Sequence, residues 1–415
     1  MKKKIVIIGG GIMGLSCAYF LNKSGHEVTV IDQSTMDGGA SYVNAGYLSP
    51  SHLIPLAAPG VMKQGIQWMF NPKSPLFIKP RLDPDFLRWS WAFNKSCSQE
   101  HVRRSVPAMK AIAVLGRDLY HQIKKEEGFG FQLESKGLFM LCQTEHMLEE
   151  ESAVVEIAND QGLVARTLSA SEIRSMMPDA DPDIIGGTYF ECDHHTTPGE
   201  FMQELKTHLV REGVTLRKEE RVLDIDVSGK TIRSVRTDRE RVEADEFVMA
   251  AGSWSSALSR KLNLKLLLQA GKGYRIQSET PTGITYPSIL AEAKIAITPM
   301  NGFTRFAGTM EIAGINQKIN QKRVDAIAEG VARYFPEVKI SEEEKAQAAC
   351  GLRPVTPDGM PYIGKSKQCV NLTLATGHAM MGWSLGPATG KLVQEIIDDQ
   401  KTSVPMERFD PDRRF

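Results

Sequence analysis

A chain of 415 residues, 42% hydrophobic and 24% charged, has the make-up of an ordinary globular protein and is long enough for two interwoven domains. Its 50 basic and 50 acidic residues cancel, which argues against nucleic acid as a partner. Cysteines 17, 97, 142, 192, 350 and 369 show neither C-x-x-C nor zinc-like spacing, which suits a reducing compartment and leaves no metal site to expect.

Met1-Lys2-Lys3-Lys4 followed by Ile5-Val6-Ile7-Ile8 has the outline of a signal peptide, but glycines interrupt the apolar run and no clean cleavage site follows. No stretch approaches the ~18 uninterrupted apolar residues of a spanning helix. A cytoplasmic protein is therefore expected, with peripheral contact at the inner membrane left open. Lys4 to Ile8 reads better as a strand buried on both faces. Gly9-Gly10-Gly11-Ile12-Met13-Gly14 then spells G-x-G-x-x-G; Ile12, Leu15, Tyr19 and Leu21 follow near helical spacing, and Gly25 is placed to end that helix. Glu27 to Ile31 makes a second strand, closed by Asp32. In such a unit Gly9 permits the tight turn and Gly11 lets backbone approach a diphosphate at the helix N-terminus. Gly14 lets the helix lie on the strand, and Asp32 accepts ribose hydroxyls. The unit predicts a dinucleotide site without choosing between NAD and FAD.

Gln33 to Gly39 and Ser41 to Pro50 are rich in small and turn-forming residues, which suit backbone beside a ligand and a surface loop equally. Residues 84–95 and 106–126 carry helical periodicity. The aromatics Trp68, Phe86, Trp89, Trp91 and Phe93 read as packing of an inserted helical region, or else as a partner or membrane surface. Strands are expected at 137–141 and 187–190, with a helix at 144–161 between them. His194 and His195 are adjacent, so on a strand they point to opposite faces and cannot clamp one metal. Pro198 opens a helix to about residue 212, followed by a strand at 213–216, a three-strand meander over 222–244 and a buried strand at 246–252. That strand ends in Ala250-Ala251-Gly252, small enough for backbone to touch a ligand. Strands at 273–276, 293–297 and 303–307 precede a helix over 321–334.

The opening glycines, Ser41-Tyr42-Val43-Asn44-Ala45-Gly46, Gly271-Lys272-Gly273-Tyr274, the run Gly351-Leu352-Arg353-Pro354 to Gly359, and Thr376-Gly377-His378 to Trp383 together resemble the D-amino acid oxidase superfamily of FAD proteins. The likeness spans nearly the whole chain, and the Pro55-to-Trp68 segment is most similar to the small subunit of bacterial D-amino acid dehydrogenases. It implies FAD as cofactor and an α/β fold. A Rossmann-like FAD domain of the glutathione reductase type (1–50, 196–265 and 346–415) would interweave with an antiparallel-sheet α+β substrate domain (51–195 and 266–345). FAD would be held by Gly9, Gly11, Ile12, Met13, Gly14, Asp32 and Gln33, and by Ser41, Asn44, Ala45 and Gly46. Further contacts would come from Val222, Ala250, Gly252 and Trp254, and from Gly351, Gly377, Met381, Gly382 and Trp383.

In the family the arginine of the Gly-x-Arg-Pro motif binds the substrate carboxylate, and Arg353 matches it. Pro354 keeps Arg353 extended, and a guanidinium fork suits a carboxylate where a lysine would not. The Tyr274 hydroxyl is similar in place to a second carboxylate contact, although a buried core tyrosine fits the same pattern. Arg305 aligns loosely with a basic group near the flavin, with a structural role ranked ahead. His378 has the chemistry of a general base, yet in a loop that cradles flavin it is expected to position the ring. Pro387 is expected near N1 of the helix that follows, its N-terminus aimed at the flavin. The activity implied is oxidation of a D-amino acid: the amine lone pair assists hydride departure from Cα to flavin N5, and water hydrolyses the imino acid to a keto acid. Electrons would pass to a quinone or other acceptor. The alternatives are an oxygen-using oxidase of glycine, sarcosine or a cyclic imino acid such as D-proline or D-hydroxyproline, and a non-catalytic flavin-binding subunit of a homo- or hetero-oligomer. An NAD enzyme would leave the Gly377-His378 loop unexplained.

Overall fold

The computed structural model describes residues 1–61 and 74–415, so Trp68 and most of the segment around it lie outside the described residues. A six-stranded sheet runs in the order Thr215–Arg217, Glu27–Ile31, Lys4–Ile8, Glu246–Met249, Leu372–Thr376, Tyr362–Lys365, the first five parallel and the last antiparallel. The apolar run of Lys4–Ile8 has a double use. Ile5 and Ile7 pack under the helices Ile12–Lys23, Pro198–Arg211 and Gly382–Ile397, whereas Val6 and Ile8 meet Ile225, Ile232 and Val235 of the three-stranded meander on the other face. Both faces are covered, so the four positions after the exposed Lys4 are all apolar.

The second sheet has nine strands among the described residues. One end of it pairs Ala349–Val355, Gln269–Ser278, Phe303–Ile312 and Ile295–Met300 in antiparallel order. The helix Gln321–Tyr334 covers one face through Val324, Ile327 and Val331, which pack on Tyr274, Ile276 and Phe306. The other face looks toward the first sheet. Pairing of Gln269–Ser278 with Ala349–Val355 sets Gly271 opposite Arg353 and Gly273 opposite Gly351. Segments far apart in sequence thereby share one surface.

Two helices start earlier than their periodicity predicts. Gln99–Glu127 begins where the Ser98 hydroxyl accepts the His101 N–H (3.2 Å), well before 106. The last long helix begins at Gly382, so Pro387 lies inside it rather than near N1. A proline there has no N–H for the Trp383 carbonyl, and that carbonyl accepts the hydroxyl of buried Tyr120 at 2.8 Å instead. Tyr120→Phe is expected to orphan the carbonyl and cost roughly 1–3 kcal/mol, read as a lower midpoint of thermal unfolding. Of the aromatics in Pro84–Ser96, Phe86, Trp89 and Phe93 are core residues, and the Trp89 indole N–H donates to the Val355 carbonyl (2.9 Å); Trp91 is exposed. Among the described residues no helix is long and apolar enough to cross a membrane.

Asp193, 1% exposed, lies just before the strand His194–Thr196, where its carboxylate accepts the Ser51 N–H (3.0 Å) and hydroxyl (2.5 Å). Burial outweighs these bonds and pushes its pKa up to about 6. The fold thus favours the neutral acid. That contribution is complete below the unfolded value near ~4 and is lost as pH rises through the folded one. Asp193→Asn can keep both contacts without the charge. Thermal unfolding should show it more stable than the parent by about 3 kcal/mol at pH 8 and nearly equal at pH 4.

Candidate active site

One cavity of about 720 Å³ runs from the glycine turn to Arg353, between the two sheets. At its nucleotide end Gly9 adopts φ +113, and a Cβ there would come within 3.0 Å of the Ala250 carbonyl. Gly14 sits where the helix Ile12–Lys23 touches the turn; its Cβ would overlap the Gly9 carbonyl oxygen. Asp32 braces the turn. Its Oδ2 accepts the Gly10 N–H (2.6 Å) and keeps a further lone pair, whereas its Oδ1 accepts both the Ser34 N–H and hydroxyl (2.7 and 2.6 Å). Neither Ile12–Lys23 nor Gly382–Ile397 has an acid in its first turn, so both positive helix ends stay uncompensated.

Most of the expected cofactor residues meet in this cavity: Gly9, Gly11, Ile12, Met13, Asp32, Gln33, Ser41, Asn44, Val222, Ala250, Gly252, Trp254, Gly351, Gly382 and Trp383 all line it. Ser41 also takes the Ile12 N–H on its hydroxyl (2.9 Å), and Asn44 folds back on the Ser41 carbonyl (2.8 Å) and the Gly46 N–H (2.8 Å). Gly14, Ala45, Gly46, Gly377 and Met381 stand behind the wall instead. The Ala45 carbonyl accepts the Thr298 hydroxyl (2.6 Å), and Gly46 lies too close to the Thr196 carbonyl for any side chain. These positions shape the loop from the rear. Arg305 is 5% exposed and donates to the Tyr42 and Asn44 carbonyls (2.9 and 2.7 Å), which ties it to the same loop.

Arg353 lies at the far end, in the extended strand Ala349–Val355. Its Nη1 donates to the Thr309 carbonyl (3.0 Å), and no carboxylate pairs with it among the described residues. Burial lowers its pKa to about 10, which still leaves it charged at neutral pH. Tyr274 departs from expectation. It is 1% exposed, donates to Glu311 Oε2 (2.9 Å) and packs on the face away from the cavity. Successive strand residues point to opposite faces, so Gly273 takes the cavity wall and Tyr274 cannot reach it. His378 lines the cavity, 2% exposed, with Nε2 against the Thr389 hydroxyl (2.9 Å). Burial pulls its pKa down to about 3, so it is neutral at working pH and poorly suited to take a proton. Gly10, Gly273, Gln317 and Cys350 also line the cavity. Strand alternation puts Gly273 and Tyr274 on opposite faces, but which of the two meets the cavity is set by pairing with distant strands.

Comparison with known proteins decides the class. Residues 4–396 match the FAD dependent oxidoreductase family. The chain belongs to it. This FAD-dependent oxidoreductase is 31% identical over 401 residues to a D-amino acid dehydrogenase of Helicobacter pylori, covering 96% of each chain. It is 30% identical over 413 residues to a D-amino acid dehydrogenase of Vibrio vulnificus (strain CMCP6), covering 97% of each. In fold it is similar to glycine oxidase from Geobacillus kaustophilus (TM-score 0.79, 21% identity, 100% and 99% of the two chains) and to L-proline dehydrogenase from P. horikoshii (TM-score 0.75, 18% identity, 99% and 97%).

The residues present fit FAD. The glycine turn leaves room for a diphosphate at a helix end without an acid, Asp32 can accept ribose hydroxyls, and the cavity continues past Trp254 and Gly351 to the second uncompensated helix end.

Proposed function

We propose that this FAD-dependent oxidoreductase oxidises D-amino acids to imino acids and passes the electrons to a quinone or another acceptor. The observation that carries this reading is Arg353, a charged guanidinium in the cavity that spends one donor on a backbone carbonyl and has no acidic partner among the described residues. Such a group calls for an anion to complete it. A carboxylate matches its planar fork, and the relatives at 30% identity or above are D-amino acid dehydrogenases.

FAD, when bound, accepts the hydride that leaves the substrate Cα. The protein's part is orientation. Arg353 holds the carboxylate at one end of the cavity, which limits how the rest of the molecule can lie. The only carboxylates lining the cavity among the described residues, Asp32 and Glu220, belong to the nucleotide end, and His378 is held neutral. The amine is therefore expected to enter the reaction deprotonated by water, without a side-chain base.

Anaerobic mixing of the holoprotein with D- and L-amino acids tests this through bleaching of the flavin. D-amino acids should bleach it, and re-oxidation should be faster with an added quinone than with oxygen. Bleaching by L-amino acids alone would overturn the substrate assignment. Stoichiometric peroxide release, with glycine or D-proline as the best substrates, would favour the oxidase alternative.

A further inference from the structure

Two unusual backbone features meet at Arg353. The first is Gly273. Its φ is not positive, so its conformation does not call for glycine, and glycine inside a strand lowers stability. The bare backbone there instead makes room: a Cβ at 273 would overlap Nη1, Cζ and Nη2 of Arg353. The guanidinium lies flat on the strand. The second is Thr309. Pairing between Gln269–Ser278 and Phe303–Ile312 slips between Lys272 and Tyr274, and Thr309 falls at that slip with φ +59, a conformation that β-branched residues rarely adopt. Its carbonyl is the one that accepts Arg353 Nη1–H, at 3.0 Å. Two local departures from good strand structure thus touch the same side chain from two sides.

We propose that Gly273 and the Thr309 bulge form a seat that holds the Arg353 guanidinium flat and turns its remaining donors toward the substrate carboxylate, which makes Gly273 a positioning residue. A long arginine side chain, here with no acidic partner among the described residues, has many rotamers open to it. The seat removes most of them before substrate arrives, so less order is lost on binding. This inference rests on the reading that Arg353 receives the carboxylate.

The test uses the holoprotein and the variants Gly273→Ala, Arg353→Ala and the double variant, each titrated anaerobically with D-alanine and the other D-amino acids of the panel. Propionate, a carboxylate with no amine to oxidise, is titrated through its perturbation of the flavin absorption band. Gly273→Ala should raise the half-saturating amino acid concentration and the propionate dissociation constant by about tenfold, with a smaller change in the limiting rate of flavin reduction and no change in FAD content. In the Arg353→Ala background the same substitution should change either constant by less than about twofold, because the clash has gone.

If Arg353→Ala binds propionate and amino acids as the parent does, or the parent responds to no amino acid, the underlying reading fails. If Arg353→Ala is impaired while Gly273→Ala matches the parent, or if Gly273→Ala weakens binding equally in both backgrounds, the seat fails. Should Gly273→Ala not retain FAD, the double variant decides. Its recovery as folded holoprotein supports a clash at the guanidinium, and its failure overturns one.

Discussion

Arg353→Ala is expected to lower kcat/KM for the amino acid by about a thousandfold, ~4 kcal/mol, while the protein keeps its FAD. The size follows from what is lost. Among the described residues that line the cavity, a carboxylate would face no other cation at that end, and it would have to shed its water without a charged partner. FAD should stay because the glycine turn, Asp32 and the two helix ends lie along the rest of the cavity. Arg353→Lys should recover little: a shorter point charge cannot present two parallel N–H groups. The same residue should act oppositely on stability. Burial holds its pKa at about 10, below the ordinary arginine value, and no acid offsets this among the described residues. Arg353→Met is therefore expected to unfold at a temperature no lower than the parent while losing activity, as when a functional group is kept at a cost to the fold. Equal kcat/KM in parent and Arg353→Ala would remove the basis of the substrate assignment.

Gly14→Ala is expected to remove FAD from the purified protein. The added methyl would overlap the Gly9 carbonyl oxygen, which is backbone inside the turn that has to cradle the diphosphate. No flexible side chain is available to move aside. The helix Ile12–Lys23 must lift off the strand Lys4–Ile8, or the turn must open, and either change spoils the row of N–H groups facing the cavity. Overpacking of this kind costs roughly 3 kcal/mol, and bound flavin should fall by about tenfold or more. Flavin released on denaturation, per mole of protein, measures it. Gly199→Ala is the control, since it lies in the helix Pro198–Arg211 away from the cavity lining and a Cβ there meets only the edge of the Tyr42 ring, at 4.0 Å.

Whatever short-range rules govern was readable from the residues alone. The strands Lys4–Ile8 and Glu27–Ile31, the glycine turn and Asp32 follow from β-branched runs, glycine sterics and spacing, and they appear as expected. Pro198 does open its helix. The fold class and the choice of FAD over NAD came instead from the resemblance that several such motifs, spread along the chain, carry together. Pro387 misled because a proline is a good helix opener by itself, and only a distant hydroxyl, that of Tyr120, lets it sit inside one.

Tyr274 and Gly273 mark where local reading ends. Which of two neighbours faces a cavity depends on strand register, and register here is set by Ala349–Val355 on one side and a slipped pairing with Phe303–Ile312 on the other. Nothing near residue 273 carries that information. The sequence by itself determined that a dinucleotide turn, a Gly-x-Arg-Pro strand and a Gly-His loop exist, because each is specified by residues within a few positions of one another. The tertiary structure alone decided that Arg353 lies on bare backbone, is braced by a carbonyl from a third strand and has no acidic partner among the described residues. Sheet pairing is a long-range contact, and it converts glycines without local purpose into the floor of a binding site.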